Sequence, residues 1–466
     1  MKISASILLT IPIRHGYSGI VLDLGLLYLY SALKDHGIDS VILHCPKDGI
    51  LEDQWEQILA ANSHLKIIGL KAYSPDHNAV RKMAAACKRI LPECVVIVGG
   101  PHASSLPEYI LQKMPEVDYV FKGEGEIGFP MFCKRVLNGH SPHDVPSLSY
   151  RIDDQVRSNP TRIVEELDQL PRIRWEDVDL DEYPDFMTSL PFIPVMATRG
   201  CPFSCTYCAT PNIVGRKMRY RSVDNVIAEL RFLKETKGVT GINFSDDELT
   251  LNPRYFKELC EKLIASDLGI QWECSNGVRL DTMNEVILDL MYRAGCRYIA
   301  VGIESANDEV LERVKKKITT QTIRERVALV HQSKVIPQGL FMIGFPGETE
   351  EQILKTIQFA IDLDIDKTNF SIFMPLPGTE SFNDLVAGGY LSLEEINWDE
   401  MKPDRAVFER PGLASERLRQ LQRLAYRRFY LRPKPMKRLI KEFVSKKGGV
   451  SALLSKVKSV FLSSRH

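Results

Sequence analysis

The sequence predicts an α/β protein that has two regions of alternating strands and helices and a basic helical tail. Residues 1–140 alternate short apolar runs with helical patterns, and residues 191–388 repeat that alternation. Alternation of this kind is typical of parallel sheets with crossover helices. Residues 389–466 end in lysine-rich amphipathic segments. With 466 residues, 44% of them hydrophobic and 26% charged, the chain is long enough for two or three globular domains.

The first region carries five predicted strands, and turns rich in glycine, proline or serine follow them. The strands are Ser6 to Ile11, Val41 to His44, Ile67 to Lys71, Val95 to Val98 and Tyr119 to Phe121. In open doubly wound sheets, ligands bind at the carboxyl ends of the strands, where glycine lets a bulky ligand approach the backbone. The turns after the last three strands therefore supply candidate binding residues, which are Ser74, Gly99, Gly100, His102, Gly123 and Glu124.

Residues 141–190 carry five prolines among many charged residues and are predicted to form an extended linker. The second region then opens with an apolar run, Phe192 to Ala197, that is predicted to be a strand.

Three cysteines with the spacing CxxxCxxC, namely Cys201, Cys205 and Cys208, follow directly after this strand. Three thiolates can hold three irons of a 4Fe–4S cluster and leave the fourth iron open. An open iron can bind and reduce a small molecule. Two alternatives remain for the motif: a structural zinc site, which normally takes four protein ligands, and unrelated buried thiols.

This motif resembles that of the radical S-adenosylmethionine (SAM) superfamily, and four further segments resemble motifs of that family in the same order. They are Phe244 to Glu248, Val301 to Ser305, Gly344 to Thr349 and Pro375 to Glu380. The resemblance implies a partial (β/α)6 barrel, with the motifs at the carboxyl ends of its strands, where barrels of this kind keep their active sites. It also implies that a 4Fe–4S cluster on the three cysteines binds SAM and generates a 5′-deoxyadenosyl radical.

The resemblance further implies a set of residues that bind SAM, which are Tyr207, Asp246, Asp247, Ser275, Arg279, Glu304 and Gly344. Tyr207 matches an aromatic position near adenine, and the two aspartates match carboxylates for the SAM ammonium group. Arg279 is expected to pair with the SAM carboxylate, and Glu304 lies near the position of the ribose or the methionine portion. The alternatives are an ordinary core aromatic, an acidic turn that caps a helix, and salt bridges inside the barrel.

Residues 1–140 resemble the cobalamin-binding domain at the amino terminus of one large radical SAM class. The resemblance rests on Leu24 to Leu29 and on the Gly-Gly-Pro-His and Gly-Glu-Gly-Glu turns, and it implies that cobalamin lies across those loops, facing the radical domain. The DxHxxG segment that brings a histidine to cobalt in other cobalamin proteins does not occur in the sequence. A Rossmann-like domain that binds no corrinoid is the alternative.

The tail is a distinct basic element. The formal net charge of the chain is zero, yet residues 427–466 contain 12 lysines and arginines against one acidic residue. Apolar residues at helical spacing predict two basic amphipathic helices, one from Met436 to Val444 and one from Val450 to Phe461. Such helices lie on anionic lipid, or pack against the barrel or a partner. No recognised RNA-binding module accompanies them, which argues against a nucleic-acid partner.

These observations predict a cobalamin-dependent radical SAM enzyme, and methylation of an unactivated carbon is the favoured reaction. Two alternatives remain: cyclisation or rearrangement in lipid or natural-product biosynthesis without net methylation, and a non-catalytic corrinoid or iron–sulfur carrier. The expected partners are a small-molecule or lipid substrate and a reductant such as flavodoxin or ferredoxin. Ten cysteines without a secreted-type framework predict a cytoplasmic protein, with the tail as a contact to the inner face of the membrane.

Overall fold

The computed structural model describes residues 1–14, 21–183, 193–410 and 412–444, and its first unit is a seven-stranded sheet. The strands are β1 (Ile7–Ile11), β2 (Ser40–His44), β3 (Ile67–Lys71), β4 (Val95–Gly99), β5 (Tyr119–Phe121), β6 (Leu148–Ile152) and β7 (Gln155–Ser158). Their order is β2-β1-β3-β4-β5-β6-β7, with parallel pairing up to β5 and antiparallel pairing beyond it. The first five strands therefore have the flavodoxin-like order of doubly wound sheets.

Six helices cover both faces of this sheet. They are α1 (Leu24–Asp35), α2 (Glu52–Ala60), α3 (His77–Ile90), α4 (Pro101–Ser105), α5 (Pro107–Lys113) and α6 (Gly128–Leu137). Side chains of α2, α3 and α5 form the apolar core on one face, and those of α1 and α6 form the core on the other. All five residues of β1 are buried, as expected for a strand that is covered on both faces. The predicted Rossmann-like unit is confirmed.

The segment that was expected to be a linker begins as part of this sheet, because β6 and β7 form a hairpin beside β5. Asp153 and Asp154 form its turn with φ values of 49° and 62°. Two-residue hairpin turns with two positive φ values usually carry Asn-Gly or Asp-Gly, so the Asp-Asp pair gives a weak sequence signal. Beyond the hairpin the chain crosses to the second unit, where Trp175 is fully buried and donates a hydrogen bond of 2.8 Å to Glu229.

The second unit is an open six-stranded parallel sheet with the order β15-β14-β13-β12-β11-β8. Its strands are β8 (Ile193–Val195), β11 (Gly241–Phe244), β12 (Gln271–Val278), β13 (Cys296–Glu304), β14 (Ile336–Ile343) and β15 (Lys367–Ile372). A small antiparallel hairpin, β9 (Thr198–Arg199) and β10 (Arg219–Tyr220), stands after β8. The sheet does not close, because β8 and β15 are its two ends, and six parallel strands in this order agree with the predicted partial barrel.

Helices follow the strands of this unit, and most of them pack around the outside of the partial barrel. They are α7 (Thr210–Val214), α8 (Val223–Lys237), α9 (Pro253–Ser266), α10 (Glu285–Arg293), α11 (Asp308–Arg313), α12 (Thr320–Gln332), α13 (Glu350–Asp362) and α14 (Glu380–Ala387). Two more, α15 (Ser415–Tyr430) and α16 (Pro433–Val444), follow in the carboxyl-terminal region. The largest apolar core of the chain lies between the barrel strands and these helices.

Helix α15 covers the edge of the sheet at β15 with three side chains spaced four residues apart. Gln422 donates to the Phe370 carbonyl (2.6 Å), and the Tyr426 hydroxyl accepts from the Phe370 N–H (3.2 Å). The Tyr430 hydroxyl accepts from the Thr368 N–H (3.1 Å) and donates to its carbonyl (2.8 Å). These side chains satisfy backbone groups that an exposed edge strand leaves unpaired.

The first of the two predicted tail helices is present as α16, and it lies at the base of the barrel. Its Arg438 forms a 2.8 Å ion pair with Asp366 just before β15. The second, from Val450 to Phe461, lies outside the described residues. Among the described residues, no helix has the length and apolar character needed to cross a bilayer.

Candidate active site

The three predicted cluster ligands lie on the loop between β9 and β10, at the carboxyl end of the barrel sheet. Cys201, Cys205 and Cys208 are partly exposed and form no disulfide, whereas the other seven cysteines are buried. The loop is held by Thr206, whose N–H donates to the Val314 carbonyl (3.1 Å) and whose hydroxyl accepts from Ser381 (2.8 Å). The structure therefore anchors the loop between the cysteines and leaves the thiols accessible.

The surroundings of these thiols favour the protonated form until a metal binds. Burial raises the pKa of the Cys201 thiol to about 11. Burial also raises the pKa of Cys205, although the nearby ammonium of Lys316 opposes that effect. Thiols of this kind deprotonate when a metal binds them. In the described part of the chain, no three His, Cys, Asp or Glu side chains are grouped around the position of a single ion, and an iron–sulfur cube does not need this because each thiolate binds its own iron.

Tyr207, Glu304 and Lys316 form a buried polar group beside Cys205. Lys316 Nζ donates to Glu304 Oε1 at 2.7 Å, and a hydrogen bond to Glu304 helps to raise the pKa of Tyr207, although burial is the larger cause. A Cβ on Gly302 would lie 2.6 Å from Lys316 Nζ, so a larger residue there would shift the ion pair. The Tyr207 ring packs on Phe345 at 5.6 Å, and its contact with adenine stays a prediction.

Lys316 was not among the residues predicted from the sequence. It lies in a run of three lysines, which is usually a solvated surface. The backbone turns it inward, because Lys315 and Lys317 have φ values of 55° and 54°. Its burial and its contact with Glu304 place an ammonium group at the mouth of the barrel, close to a predicted cluster ligand.

The two candidate aspartates after β11 have different surroundings. Both oxygens of Asp246 accept the Ala197 N–H (3.1 and 3.3 Å), and Oδ1 also accepts the Thr198 N–H. Asp246 is only 3% exposed, and burial raises its pKa to about 7. It therefore orders the backbone before the cysteine loop, and the expected contact with the SAM ammonium is not accessible to it. Asp247 accepts a hydrogen bond from Thr210 (3.2 Å) and stays partly exposed, so it is the better candidate.

Ser275 and Arg279, both predicted near the third barrel strand, also differ in accessibility. Ser275 is exposed at the mouth of the barrel and accepts a hydrogen bond from Asn243 at 2.7 Å. Arg279 is buried and forms a two-pronged ion pair with Asp281 (3.0 and 2.8 Å). Its remaining donors reach the carbonyls of Lys316 (3.0 Å) and Lys317 (3.1 Å). Since four of the five guanidinium N–H groups bond to protein, Arg279 mainly holds the lysine loop, and its pairing with the SAM carboxylate stays a prediction.

Gly344 has a packing role in the structure. Its φ is +78°, and a Cβ there would lie 2.5 Å from the Leu418 side chain of α15. Its N–H donates to Glu348 (2.6 Å) and its carbonyl accepts from Arg410 (2.7 Å). Both backbone groups are therefore used by protein, and a close approach of adenine to Gly344 stays a prediction.

In the amino-terminal unit, the predicted ligands after β3 and β4 contact one another. The His102 ring bonds to His77 (2.9 Å) and to the Ser74 hydroxyl (3.3 Å), and His102 is only 2% exposed. Both ring nitrogens are thus engaged by protein, and Ser74, 7% exposed, supports the ring. A contact of His102 or Ser74 with a cofactor stays a prediction. A Cβ on Gly100 would lie 2.9 Å from the Ala72 carbonyl, so close packing requires this glycine. Its neighbour Gly99 stays partly exposed at the strand end.

The last predicted turn, Gly123 and Glu124, faces the radical unit rather than an open cleft. The Glu124 carboxylate accepts two hydrogen bonds from Arg219 (2.8 and 2.7 Å) and one from the Val164 N–H (2.6 Å). Glu124 is 6% exposed and its oxygens bond to protein, so the structure gives it a role at the interface, and its contact with a cofactor stays a prediction. The turn could be predicted from the sequence, but the pairing of Glu124 with Arg219 could not, because the two residues are 95 positions apart.

Two family models match the two units of the chain. One is described as the radical SAM superfamily and matches residues 195–360, and the other is described as the B12 binding domain and matches residues 13–132. The chain is 33% identical to an uncharacterized methyltransferase of Pyrococcus horikoshii over 415 residues, which cover 88% of each protein. The chain belongs to the cobalamin-dependent radical SAM methyltransferase family. Its cofactors are a 4Fe–4S cluster, SAM and cobalamin.

Other relatives of this radical SAM enzyme include a cyclase. The anaerobic magnesium-protoporphyrin IX monomethyl ester cyclase of Synechocystis sp. is 25% identical to it, over 81% of this chain and 75% of the relative. Among solved structures, the cobalamin-dependent SAM radical enzyme OxsB, with aqua-cobalamin and SAM bound, superposes with a TM-score of 0.73. That match covers 98% of this chain and 75% of the other at 14% identity, so it shows a shared fold.

Proposed function

We propose that this enzyme methylates an unactivated carbon of a small-molecule or lipid substrate. In such a reaction a hydrogen atom leaves the substrate carbon and a methyl group takes its place. The cluster with SAM supplies the radical that removes the hydrogen atom, and cobalamin supplies the methyl group. The chain itself has to hold these groups next to one substrate and exclude water.

The observation that carries the proposal is the cysteine loop. Its three thiols are unpaired and partly exposed at the carboxyl edge of the barrel, and the hairpin that bears the loop also contacts the B12-binding unit. Cys201, Cys205 and Cys208 are the ligands that would hold the cluster. Asp247 and Ser275 are partly or fully exposed at the same edge and would bind SAM, and Glu304 with Lys316 would order its ribose or methionine portion.

The alternative is a radical cyclisation or rearrangement without net methylation. The similarity to the anaerobic cyclase favours it, because a match over 81% of this chain extends into both of its units. Methylation is preferred because the methyltransferase of Pyrococcus horikoshii is more similar and is matched over 88% of its own length. A reductant of the flavodoxin or ferredoxin type would supply the electron in either case. The basic tail beyond residue 444 lies outside the described residues, and a membrane contact through it stays a prediction.

The test starts with anaerobic purification of the full chain from cells supplied with cobalamin. Iron, sulfide and corrinoid are quantified per chain, and about four irons with one corrinoid are expected. The enzyme is then incubated with a reductant, SAM carrying a deuterated methyl group and a metabolite extract, and products are analysed by mass spectrometry. Deuterated methyl on a product carbon supports the proposal. Deoxyadenosine together with an unlabelled, cyclised product would instead support the alternative.

A further inference from the structure

Four charged side chains are buried where the B12-binding unit meets the cysteine hairpin. Arg219 contacts Glu124 at 2.7 Å, and their side chains are 1% and 3% exposed. Arg199 contacts Glu126 at 2.6 Å and Glu124 at 3.2 Å, and the side chains of Arg199 and Glu126 are 9% and 7% exposed. We call these four residues the interface charge cluster. Both glutamates come from the turn after β5, and both arginines come from the β9–β10 hairpin.

The two arginines stand at the two ends of the cysteine loop. Arg199 ends β9 and pairs in register with Arg219 of β10, so residues 200–218, with all three cluster cysteines, form the loop between them. Gly200, directly before Cys201, has φ +100° and packs so closely that a Cβ would lie 2.3 Å from the Lys217 carbonyl. A shift of either arginine therefore moves the first cysteine.

The turn after β5 also packs against the segment that follows the cysteines. A Cβ on Gly123 would lie 3.1 Å from the Ile213 carbonyl in α7, the helix that follows Cys208. Arg219 donates to the Val214 carbonyl at 2.6 Å and, more closely still, to the Val164 carbonyl. The amino-terminal unit thus holds both the start and the continuation of the cysteine loop.

The interface charge cluster is a costly way to join two units. Desolvated ion pairs often stabilise a protein no better than apolar side chains of similar size, and their best-supported advantage is that they select one arrangement. Two buried atoms in the cluster, Glu126 Oε2 and Arg219 Nε, have no hydrogen-bond partner in the described protein. Orientation rather than stability therefore explains the cluster better.

We propose that the interface charge cluster positions the cysteine loop relative to the B12-binding unit, and so aligns the iron–sulfur cluster with cobalamin for methyl transfer. The alignment part rests on the proposed function, whereas the positioning of the loop does not. Glu124, Glu126, Arg199 and Arg219 are positioning residues in this view, because they act on the cofactors through the loop and the turn that hold them. Loosening the cluster should leave each cofactor bound but misaligned.

The test compares Glu124→Gln with a matched control, Glu165→Gln. Glu165 also joins the linker to the cysteine hairpin through an ion pair with Lys217 (2.6 Å), but those side chains are 57% and 69% exposed. Three measurements are made on the full chain. They are the iron and corrinoid per chain, the electron paramagnetic resonance (EPR) spectrum of the reduced cluster with and without SAM, and the ratio of deoxyadenosine to methylated product. Glu124→Asp, which keeps the charge on a shorter side chain, is the second variant in case Glu124→Gln does not fold.

We expect Glu124→Gln to retain iron and corrinoid and to change the EPR spectrum with SAM. Its rate of methyl transfer should fall about 100-fold, because small misplacements of reacting groups reduce rates by that factor. Deoxyadenosine should still form, so its ratio to product should rise, while Glu165→Gln should match the wild type. An EPR spectrum and a product ratio equal to those of Glu165→Gln would overturn the proposal. If the wild type forms no methylated product, the proposed function fails, and the EPR comparison still decides whether the cluster positions the loop.

Discussion

The two parallel sheets of this enzyme differ in the side chains that stand at the carboxyl ends of their strands, here called the carboxyl edge. In the B12-binding unit, the edge is crowded with paired charges: Lys71 with Asp23 (2.6 Å), Arg14 with Asp76 (2.7 Å), and Glu124 with Arg219. In the radical unit, this edge also has paired charges, Glu304 with Lys316 and Arg279 with Asp281, but partly exposed cysteines and the exposed Ser275 hydroxyl stand beside them. Side chains at the first edge therefore mostly contact other protein groups, and we call it the closed edge. The second edge keeps side chains that small molecules can reach, and we call it the open edge.

This difference shows how far ligand sites can be predicted from the positions of strand ends. Ligands of α/β sheets bind near the carboxyl ends of the strands, but the rule does not say which side chain there stays accessible. Glu124 and His102 stand at such ends and are closed, whereas Ser275 and Asp247 stand at such ends and are open. Substitutions at the open edge should therefore act on cofactor binding directly, whereas substitutions at the closed edge should act through stability or through the position of the loops.

The largest effect is expected at the open edge, for Cys205→Ala. Removing one of three cluster ligands should abolish cluster assembly and deoxyadenosine formation, with little change in the free energy of unfolding, because the thiol is partly exposed. Iron analysis and deoxyadenosine quantification measure this. Cys87→Ala is the control, because its thiol is buried in the core of the B12-binding unit. It should keep four irons and lose stability instead; retained deoxyadenosine production in Cys205→Ala would contradict the assignment of the cluster.

Lys316→Met should have the next largest effect. The change leaves the Glu304 carboxylate buried without its ammonium partner, and charge-assisted hydrogen bonds are worth about 1.5–3 kcal/mol. We expect the cluster to assemble and SAM to bind about tenfold or more weakly. Titration of SAM against the EPR spectrum of the reduced cluster gives the affinity.

Lys315→Met is the matched control for that experiment. Lys315 is the preceding residue, and its ion pair with Glu380 (2.6 Å) is about half exposed, with side chains 46% and 47% accessible. Its loss should leave the affinity for SAM unchanged. Equal weakening in both variants would mean that the lysine loop attracts SAM only by general charge, and that the buried pair has no particular role.

How far the sequence predicts this molecule depends on how local each feature is. Strand and helix alternation and the CxxxCxxC spacing are local, so both units and the cysteine loop could be predicted. Lys316 could not, because its inward direction depends on the left-handed backbone of its two neighbours. The ion pair of Glu124 could not be predicted either, because its partner, Arg219, comes from another unit. Which side chains stay accessible depends on how the whole chain packs, and this accessibility decides which of the predicted residues are open to a ligand.

At the closed edge, the pair of His77 and His102 should make stability depend on pH. Burial lowers the pKa of His77 to about 4, helped by Arg81 and opposed by Asp399, and burial next to His77 lowers that of His102 to about 3. The unfolded chain, with histidine pKa values near 6.5, binds more protons than the folded chain below that pH, so stability falls as the pH decreases. For His77 alone the loss should be about 2 kcal/mol at pH 5.

Urea unfolding at pH 7 and pH 5 measures this dependence. His77→Gln should reduce the difference between the two pH values, because glutamine does not titrate. His64→Gln, at an exposed position of the same unit, should leave the difference as it is in the wild type. A His77→Gln protein with an unchanged pH dependence would show that other groups cause it. None of these histidine variants should change the EPR spectrum of the cluster if the histidine pair only supports the fold.

The smallest effect is expected for Tyr426→Phe, on the lateral edge of the barrel at β15. The change removes the hydroxyl that accepts the Phe370 N–H and donates to Asn369, so a strand-edge N–H and a side-chain acceptor lose their partner. A typical intramolecular hydrogen bond contributes about 1 kcal/mol, and a loss of about that size is expected in urea unfolding. Tyr390→Phe, whose side chain is about half exposed, should change nothing. A larger loss that also reduced the iron content would mean that α15 supports the open edge of the barrel as well as its lateral one, since Leu418 of the same helix packs on Gly344 at the end of β14.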